Sequence, residues 1–151
     1  MKLLLENWRQ YLVERSKPVQ VKFPDVIPTE LLAIADKDPE ISGFVYPGEK
    51  RQRAGIYFDD ELVGFMTPRK IPDEGWRVGA IYISPEHRGQ GIGSLAIDNF
   101  FIDKHASAVP IGIDNKRAQR TFANAGFVLL HPDETSIDKN DNWEYQLWGR
   151  S

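Results

Sequence analysis

The stretch Ile81-Tyr82-Ile83-Ser84-Pro85-Glu86-His87-Arg88-Gly89-Gln90-Gly91-Ile92-Gly93-Ser94 constrains this chain more than any other. It begins as an apolar β-type run, breaks at a proline turn, passes through alternating glycines and continues in a helical pattern. A strand, loop and helix in that order present backbone N–H groups at one helix end, where the dipole also favours negative charge. Glycines there let a phosphate approach the main chain without meeting a Cβ. Arg88, at the entry, adds a fixed positive charge and a donor fork. The combination predicts a pyrophosphate cradle.

Spacing decides which cradle. A P-loop needs a Gly-Lys pair, and this stretch has none. A dinucleotide fingerprint needs a third glycine where Ser94 stands. What remains is Arg88-x-x-Gly91-x-Gly93 behind an apolar strand ending in Ser-Pro-Glu. This resembles motif A of the GNAT superfamily, the acetyl-CoA-dependent N-acyltransferases, with Arg88 and Gly89 to Gly93 on its pyrophosphate loop. Further on, Asp114 to Phe127 offers Asn115 as a helix N-cap and Gly126 just past a helix end. Alone that is a capped helix–strand unit. It also resembles motif B of the same superfamily, on Asn115, Ala118, Phe122, Gly126 and Phe127. Both motifs occur in the right order, separated by one helix and one strand, which is far more specific than either.

The chain of 151 residues suits one core and is too short for two ordinary domains. With 41% hydrophobic and 27% charged residues it reads as a soluble globular protein. A net charge of −3 argues mildly against a nucleic-acid surface. The absence of cysteine excludes disulfides, thiolate metal sites and a cysteine nucleophile. No His/Asp/Glu spacing predicts a metal site either. Leu3-Leu4-Leu5 is cut off by Glu6, so no signal-peptide core is expected, and no apolar run approaches the ~20 residues of a membrane span. A cytoplasmic location follows as an expectation.

Residues 1–18 read as an N-terminal helical extension, with Leu4, Trp8, Tyr11 and Leu12 on one face, and 19–151 as the catalytic-type domain. That helix packs on the domain or docks a partner through Trp8. Val19 to Phe23 alternates as a strand, and Thr29 is placed to cap a helix over Glu30 to Asp36. Residues 39–53 suggest a loop in which Phe44, Val45 and Tyr46 form a short strand or an exposed apolar lip. A hairpin follows, Ala54 to Phe58 and Leu62 to Thr67 joined by Asp59-Asp60-Glu61, then a turn over Pro68 to Gly75 and a strand from Trp76 to Ser84. A helix from Ile92 to about His105 carries apolar residues on more than one face, including Leu95 and Ile102, and is expected to be well buried. Val109 to Ile113 and Glu144 to Trp148 complete the expected strands.

The resemblance implies an α/β (α+β) fold: a mixed, mostly antiparallel sheet of six or seven strands flanked by helices, with the N-terminal helix added. It implies acetyl-CoA as cosubstrate, with pantetheine lying in a gap between splayed strands and pairing with the main chain of Ile81 and Ile83. Arg88, Gly89, Gln90, Gly91, Ile92, Gly93 and Ser94 would surround the pyrophosphate, and Asn115 and Phe122 would border the other side of the CoA arm. The implied reaction is direct attack of a small-molecule or protein amine on the thioester, with proximity and a main-chain oxyanion donor supplying the acceleration. Phe122 stands where relatives often carry a tyrosine acid, and it has no proton to give. Glu74, Tyr82 and Tyr145 are the candidate acid–base groups: Glu74 precedes the key strand, Tyr82 alternates to the face opposite Ile81 and Ile83, and Tyr145 lies in the last strand. Two readings follow: an N-acetyltransferase, for which the resemblance implies a homodimer, or a catalytically silent CoA- or partner-binding module.

Overall fold

The computed structural model describes residues 19–41, 45–140 and 142–150, so the expected helix over residues 1–18 and the position of Phe44 lie outside the described residues. β1 (Val19–Asp25) forms where Val19, Val21 and Phe23 alternate with polar neighbours, and burial alternates with them. α1 (Thr29–Asp36) follows Pro28, which occupies the N-cap position itself; Thr29 is the first helical residue and makes no capping bond. Leu32 and Ala35 bury the inner face of this helix, while Ile34 stays exposed.

β2 (Arg53–Phe58), β3 (Glu61–Ile71) and β4 (Gly75–Ile83) form an antiparallel meander with β1, in the order β1-β2-β3-β4. Asp59 and Asp60 both take positive φ (51° and 64°), a two-residue turn whose twist matches the strands it joins. The turn expected from Pro68 is instead strand: β3 runs on to Ile71, with Pro68 opposite Val78. Trp76 uses its N–H and C=O on residues 105 and 107, so Trp76 and Val78 turn away from β3. Pro68 therefore lies where β4 asks for no donor, and it lies beyond the start of β2.

After β4 come α2 (Ile92–Phe100), β5 (Val109–Gly112), α3 (Lys116–Asn124), β6 (Val128–Leu129), β7 (Ser136–Asp138) and β8 (Trp143–Gly149). β8 is central to a second sheet, pairing with β5, β6 and β7, all antiparallel. The described residues thus form a mixed α/β fold of two four-stranded antiparallel sheets flanked by helices, eight strands where six or seven were expected. One parallel bridge, Trp76 to Ala106, joins the two sheets, with Trp76 N–H to His105 O and Ser107 N–H to Trp76 O both at 2.8 Å. Beyond it β4 and β5 part.

α2 and α3 cover one side through Ile92, Ile97, Phe100 and Phe122, and α1 covers the other with Leu32 and Ala35 against Phe65 and Tyr82. α2 stops at Phe100, well short of His105. Ile97, Phe100 and Phe101 share its inner face, with the Phe101 N–H still on Ile97 O at 3.1 Å. Leu95 (41%), on the outer face of α2, and Ile102 (74%), past its end, are exposed, against the expectation of a well-buried helix. Among the described residues, no helix is long and apolar enough to cross a membrane.

β4 carries a bulge: Met66 pairs with Ile81 and Pro68 with Val78, so Thr67 alone faces both Gly79 and Ala80. Thr67 Oγ1 accepts the Ala80 N–H at 2.8 Å, supplying the acceptor that the disrupted ladder lacks. Thr67→Val keeps the shape and leaves that buried N–H unpaired, so urea unfolding should show a loss of about 1–3 kcal/mol. An unchanged midpoint and slope would show that the bulge does not depend on this bond.

Candidate functional site

The site begins on the free side of β4. Ser84 N–H donates to Val63 O at 2.8 Å, and bonded residues alternate along an antiparallel pair. Tyr82 and Ser84 therefore bond to β3, whereas Ile81 and Ile83, opposite Met66 and Gly64, turn their N–H and C=O groups to the other side. At Trp76 that side is filled by residues 105 and 107; at Ile81 the sheets have separated. The side chains of Ile81 and Ile83 lean on α2 at Gly93, where an added Cβ would lie 3.6 and 3.7 Å from them and 3.2 Å from Thr121 Cγ2. Gly93 is thus required by close approach of α2 to both β4 and α3.

A short 3-10 turn (Pro85–His87) leads into the glycine loop. Gly89 and Gly91 take φ of +80° and +77°, and a Cβ at either would meet nothing within 4 Å. The backbone conformation demands glycine there, and the space in front of the loop is open. Gly91 caps α2 and accepts the Leu95 N–H at 3.1 Å. A helix start without side chains in front of it fits the terminal oxygens of a phosphate. Gln90 is exposed at the loop tip, while the Ile92 side chain is buried beneath it, leaving its main chain on the loop. Ser94 Oγ donates to Thr121 O at 2.9 Å and so ties α2 to α3.

Arg88 does not project freely. Its Nε donates to Ile83 O at 2.7 Å, and a terminal nitrogen reaches Asp38 Oδ2 at 3.3 Å. Arg117 donates to the same oxygen at 2.8 Å and pairs through Nε with Glu40 Oε2 at 2.7 Å. The segment after α1 is thereby latched across the glycine loop to the first turn of α3. Burial raises the Asp38 pKa, but the Arg117 hydrogen bond, the Glu40 backbone N–H and the charges of Arg117 and Arg88 outweigh it and hold the carboxyl below its ordinary value. Nothing local in the sequence marks this latch; its members come from three separate segments.

The remaining candidates fall in different places. Asn115 accepts the Ala118 N–H at 3.0 Å as the N-cap of α3, beside the end of β5. Phe122 is buried, with its ring 5.0 Å from that of Phe127. Tyr82 is buried under α1 against Phe65, with the Arg88 guanidinium 5.3 Å from its ring. Tyr145 stacks on Trp143 at 5.0 Å and faces Gly112 across β5 and β8. Glu74 is exposed in the β3–β4 turn, seven residues up the chain from Ile81, so about 23 Å away along an extended strand. The structure brings Ile81, Ile83 and the loop from Arg88 to Ser94 together; among the described residues no hydrogen bond joins Glu74, Tyr82 and Tyr145. Val45 is neither strand nor exposed lip but fully buried beside Phe65, and the Tyr46 ring stacks under the Arg51 guanidinium at 3.7 Å.

The family model described as the acetyltransferase (GNAT) family matches residues 6–127. No curated protein matches the chain by sequence. Among solved structures, an IAA acetyltransferase from Bacillus cereus shares the fold with a TM-score of 0.55 at 16% identity, over 88% of this chain and 99% of that one. A GNAT family acetyltransferase from Elizabethkingia anophelis with acetyl-CoA bound gives a TM-score of 0.59 at 14% identity, over 89% and 99%. AAC(6')-Ib in complex with paromomycin and acetyl-CoA gives 0.54 at 12% identity, over 88% and 93%.

The latch sets a pH dependence. Asp38 has a folded pKa depressed below 3.8, so its stabilising contribution is complete above pH ~5 and is lost as pH falls through the depressed value. The unfolding free-energy difference between wild type and Asp38→Asn, measured in urea, should stay level from pH 8 to about 5 and shrink below 3.8. A difference that grows on acidification would contradict the latch.

Proposed function

This chain belongs to the GNAT acetyltransferase family, and on that premise we propose that it moves an acetyl group from acetyl-CoA to a primary amine bound in the same cleft. The observation that carries the proposal is the outward main-chain edge of Ile81 and Ile83 running into a glycine loop with an open front. Such an edge accepts an amide-bearing arm as a further strand would be accepted. Main-chain N–H groups between Gly89 and Gly93 suit the diphosphate, with Arg88 beside them. A fold-mate with acetyl-CoA bound supports the choice of cosubstrate.

When bound, acetyl-CoA supplies an acyl carbon activated as a thioester. The chain's residues do the rest. The loop anchors one end of the molecule, so the reactive end points back along β4 toward the Gly79–Ala80 bulge. Holding both reactants there supplies proximity, and an outward N–H of β4 favours negative charge on the acyl oxygen. The amine attacks in its neutral form; the new N–C bond forms as the C–S bond breaks. The proton released by the amine is carried to solvent or to the departing sulfur. Phe122 has no role in that transfer, because its ring holds no ionisable group.

The same Phe122 favours a second reading, a module that binds CoA without transferring the acetyl group. One experiment separates them. Thermal-shift titration with acetyl-CoA should raise the melting temperature saturably, by ~2.7 kcal/mol of added stability at 100 Kd. Folded Arg88→Glu and Gly91→Trp variants should lose the shift, and thiol release should follow on adding amines. A shift without thiol release from any amine selects the second reading. No shift at millimolar acetyl-CoA overturns both.

A further inference from the structure

Away from the glycine loop, the end of β3 beside the bulge carries positive charge that the fold does not neutralise. A groove of about 290 Å³ lies there, lined by Arg51, Thr67, Arg69, Lys70 and Trp76 among others, and no carboxylate among the described residues lines it. Arg69 stands directly opposite Arg77 on β4, a like-charge pairing that destabilises a sheet. Arg77 is held by its Nε–H to Ala108 O at 3.0 Å. Next to the groove in β2, Arg53 is only 7% exposed; its terminal nitrogen donates to Val45 O and Tyr46 O, and its Nε is buried without a partner.

Arg51 pairs with Glu49 at 2.7 Å, but among the described residues none of Arg53, Arg69, Lys70 and Arg77 is in an ion pair. Asp73 and Glu74 sit at the tip of the hairpin and pair with none of them. Stability does not ask for this arrangement: concentrated like charge and a buried guanidinium without a counter-ion both oppose folding. An anion beside Arg69 and Lys70 would relieve the first. Position adds the second half of the argument, since Thr67 lines the groove and also holds the bulge through Ala80 N–H. The groove therefore starts where the reactive end of the cosubstrate is directed.

We propose that this groove binds an oxyanion of the acceptor, so that the acceptor is a small amine bearing a carboxylate or phosphate near its nucleophilic nitrogen. The inference rests on the transferase reading for the amine and on the cation cluster for the anion. A volume near the lower end of ligand pockets suits a compact head group. Forked guanidinium donors suit both anions, and the same field disfavours polycationic amines.

The test uses the whole chain saturated with CoA and calorimetric titration with matched pairs. The common amino acids and O-phosphoethanolamine are each compared with the amine lacking the anion, and spermidine serves as the polycation. At least one anion-bearing amine should bind about tenfold or more tightly than its neutral partner, the scale of a lost charged hydrogen bond. Which arm responds identifies carboxylate or phosphate. Arg69 and Lys70 are both exposed, so Arg69→Gln with Lys70→Gln should fold and should erase the preference. Equal binding within every pair, binding of none, tighter binding of spermidine, or a preference that survives the double variant overturns the inference. Charge-selective binding without acetyl transfer to any amine leaves the groove in place and removes the transferase reading instead.

Discussion

The parting of β4 from β5 is the constraint on which the rest of the site depends. A strand inside a sheet satisfies its N–H and C=O groups on both sides, and a strand edge left open is usually blunted or covered. Here β4 is paired with β3 along its length, but among the described residues its main chain meets the segment leading into β5 at one bridge, Trp76 to Ala106, with the Arg77 side chain on Ala108 O beside it. Past that bridge the outward groups of Ile81 and the Ile83 N–H face a gap rather than a partner strand, while Ile83 O accepts from Arg88 Nε. Helices on both faces fix the gap without closing it. α2 is drawn against Ile81, Ile83 and Thr121 at Gly93, which also aims its first turn at the end of β4. One geometric decision thus produces an unpaired strand edge and a helix start side by side.

Electrostatics then divides the length of β4 into two regimes. At its C-terminal end, positive charge is matched: Arg88 and Arg117 converge on Asp38, and Glu40 takes the remaining side of Arg117. At the bulge end, positive charge outruns its partners, with Arg69 facing Arg77 and Arg53 buried nearby. The first arrangement stiffens the segment after α1 and keeps it across the loop. The second leaves Arg53, Arg69, Lys70 and Arg77 without an ion pair among the described residues. A chain with net charge −3 has carboxylates available, so their absence among the described residues that line the groove is a matter of placement rather than supply.

Much of the site was legible because its chemistry is local. Arg88 to Gly93 is a contiguous run whose glycines must adopt positive φ or permit close approach, and Asn115 caps the helix that follows it. The choice of Ile81 and Ile83 came from the resemblance to the family's motif A, and strand alternation only set Tyr82 on the opposite face. Boundaries were less legible than element types: α2 ends at Phe100 rather than near His105, and β3 continues through Pro68 because the bulge region asks nothing of its nitrogen. Glu74 drew attention through its proximity in sequence to β4, yet an extended strand carries it far from the loop. Asp38, Arg88 and Arg117 were invisible as a group, the two arginines being 50 and 79 positions from Asp38 in the chain.

The sequence by itself determined the elements whose information lies within a few residues of one another: the glycine loop and its helix, the capped second helix, the presence of a hairpin around Asp59 and Asp60, and the alternation of strand side chains. These depend on φ preferences, side-chain volume and short-range hydrogen bonding, all of which are properties of neighbouring residues. Only the tertiary structure decided the division into two sheets, the latch of Asp38 between two arginines, the bulge fixed by Thr67 and the uncompensated cations around it. Each of these is a relation between segments far apart in the chain, and the Coulomb and packing energies that govern them depend on distance in space, which no local pattern encodes.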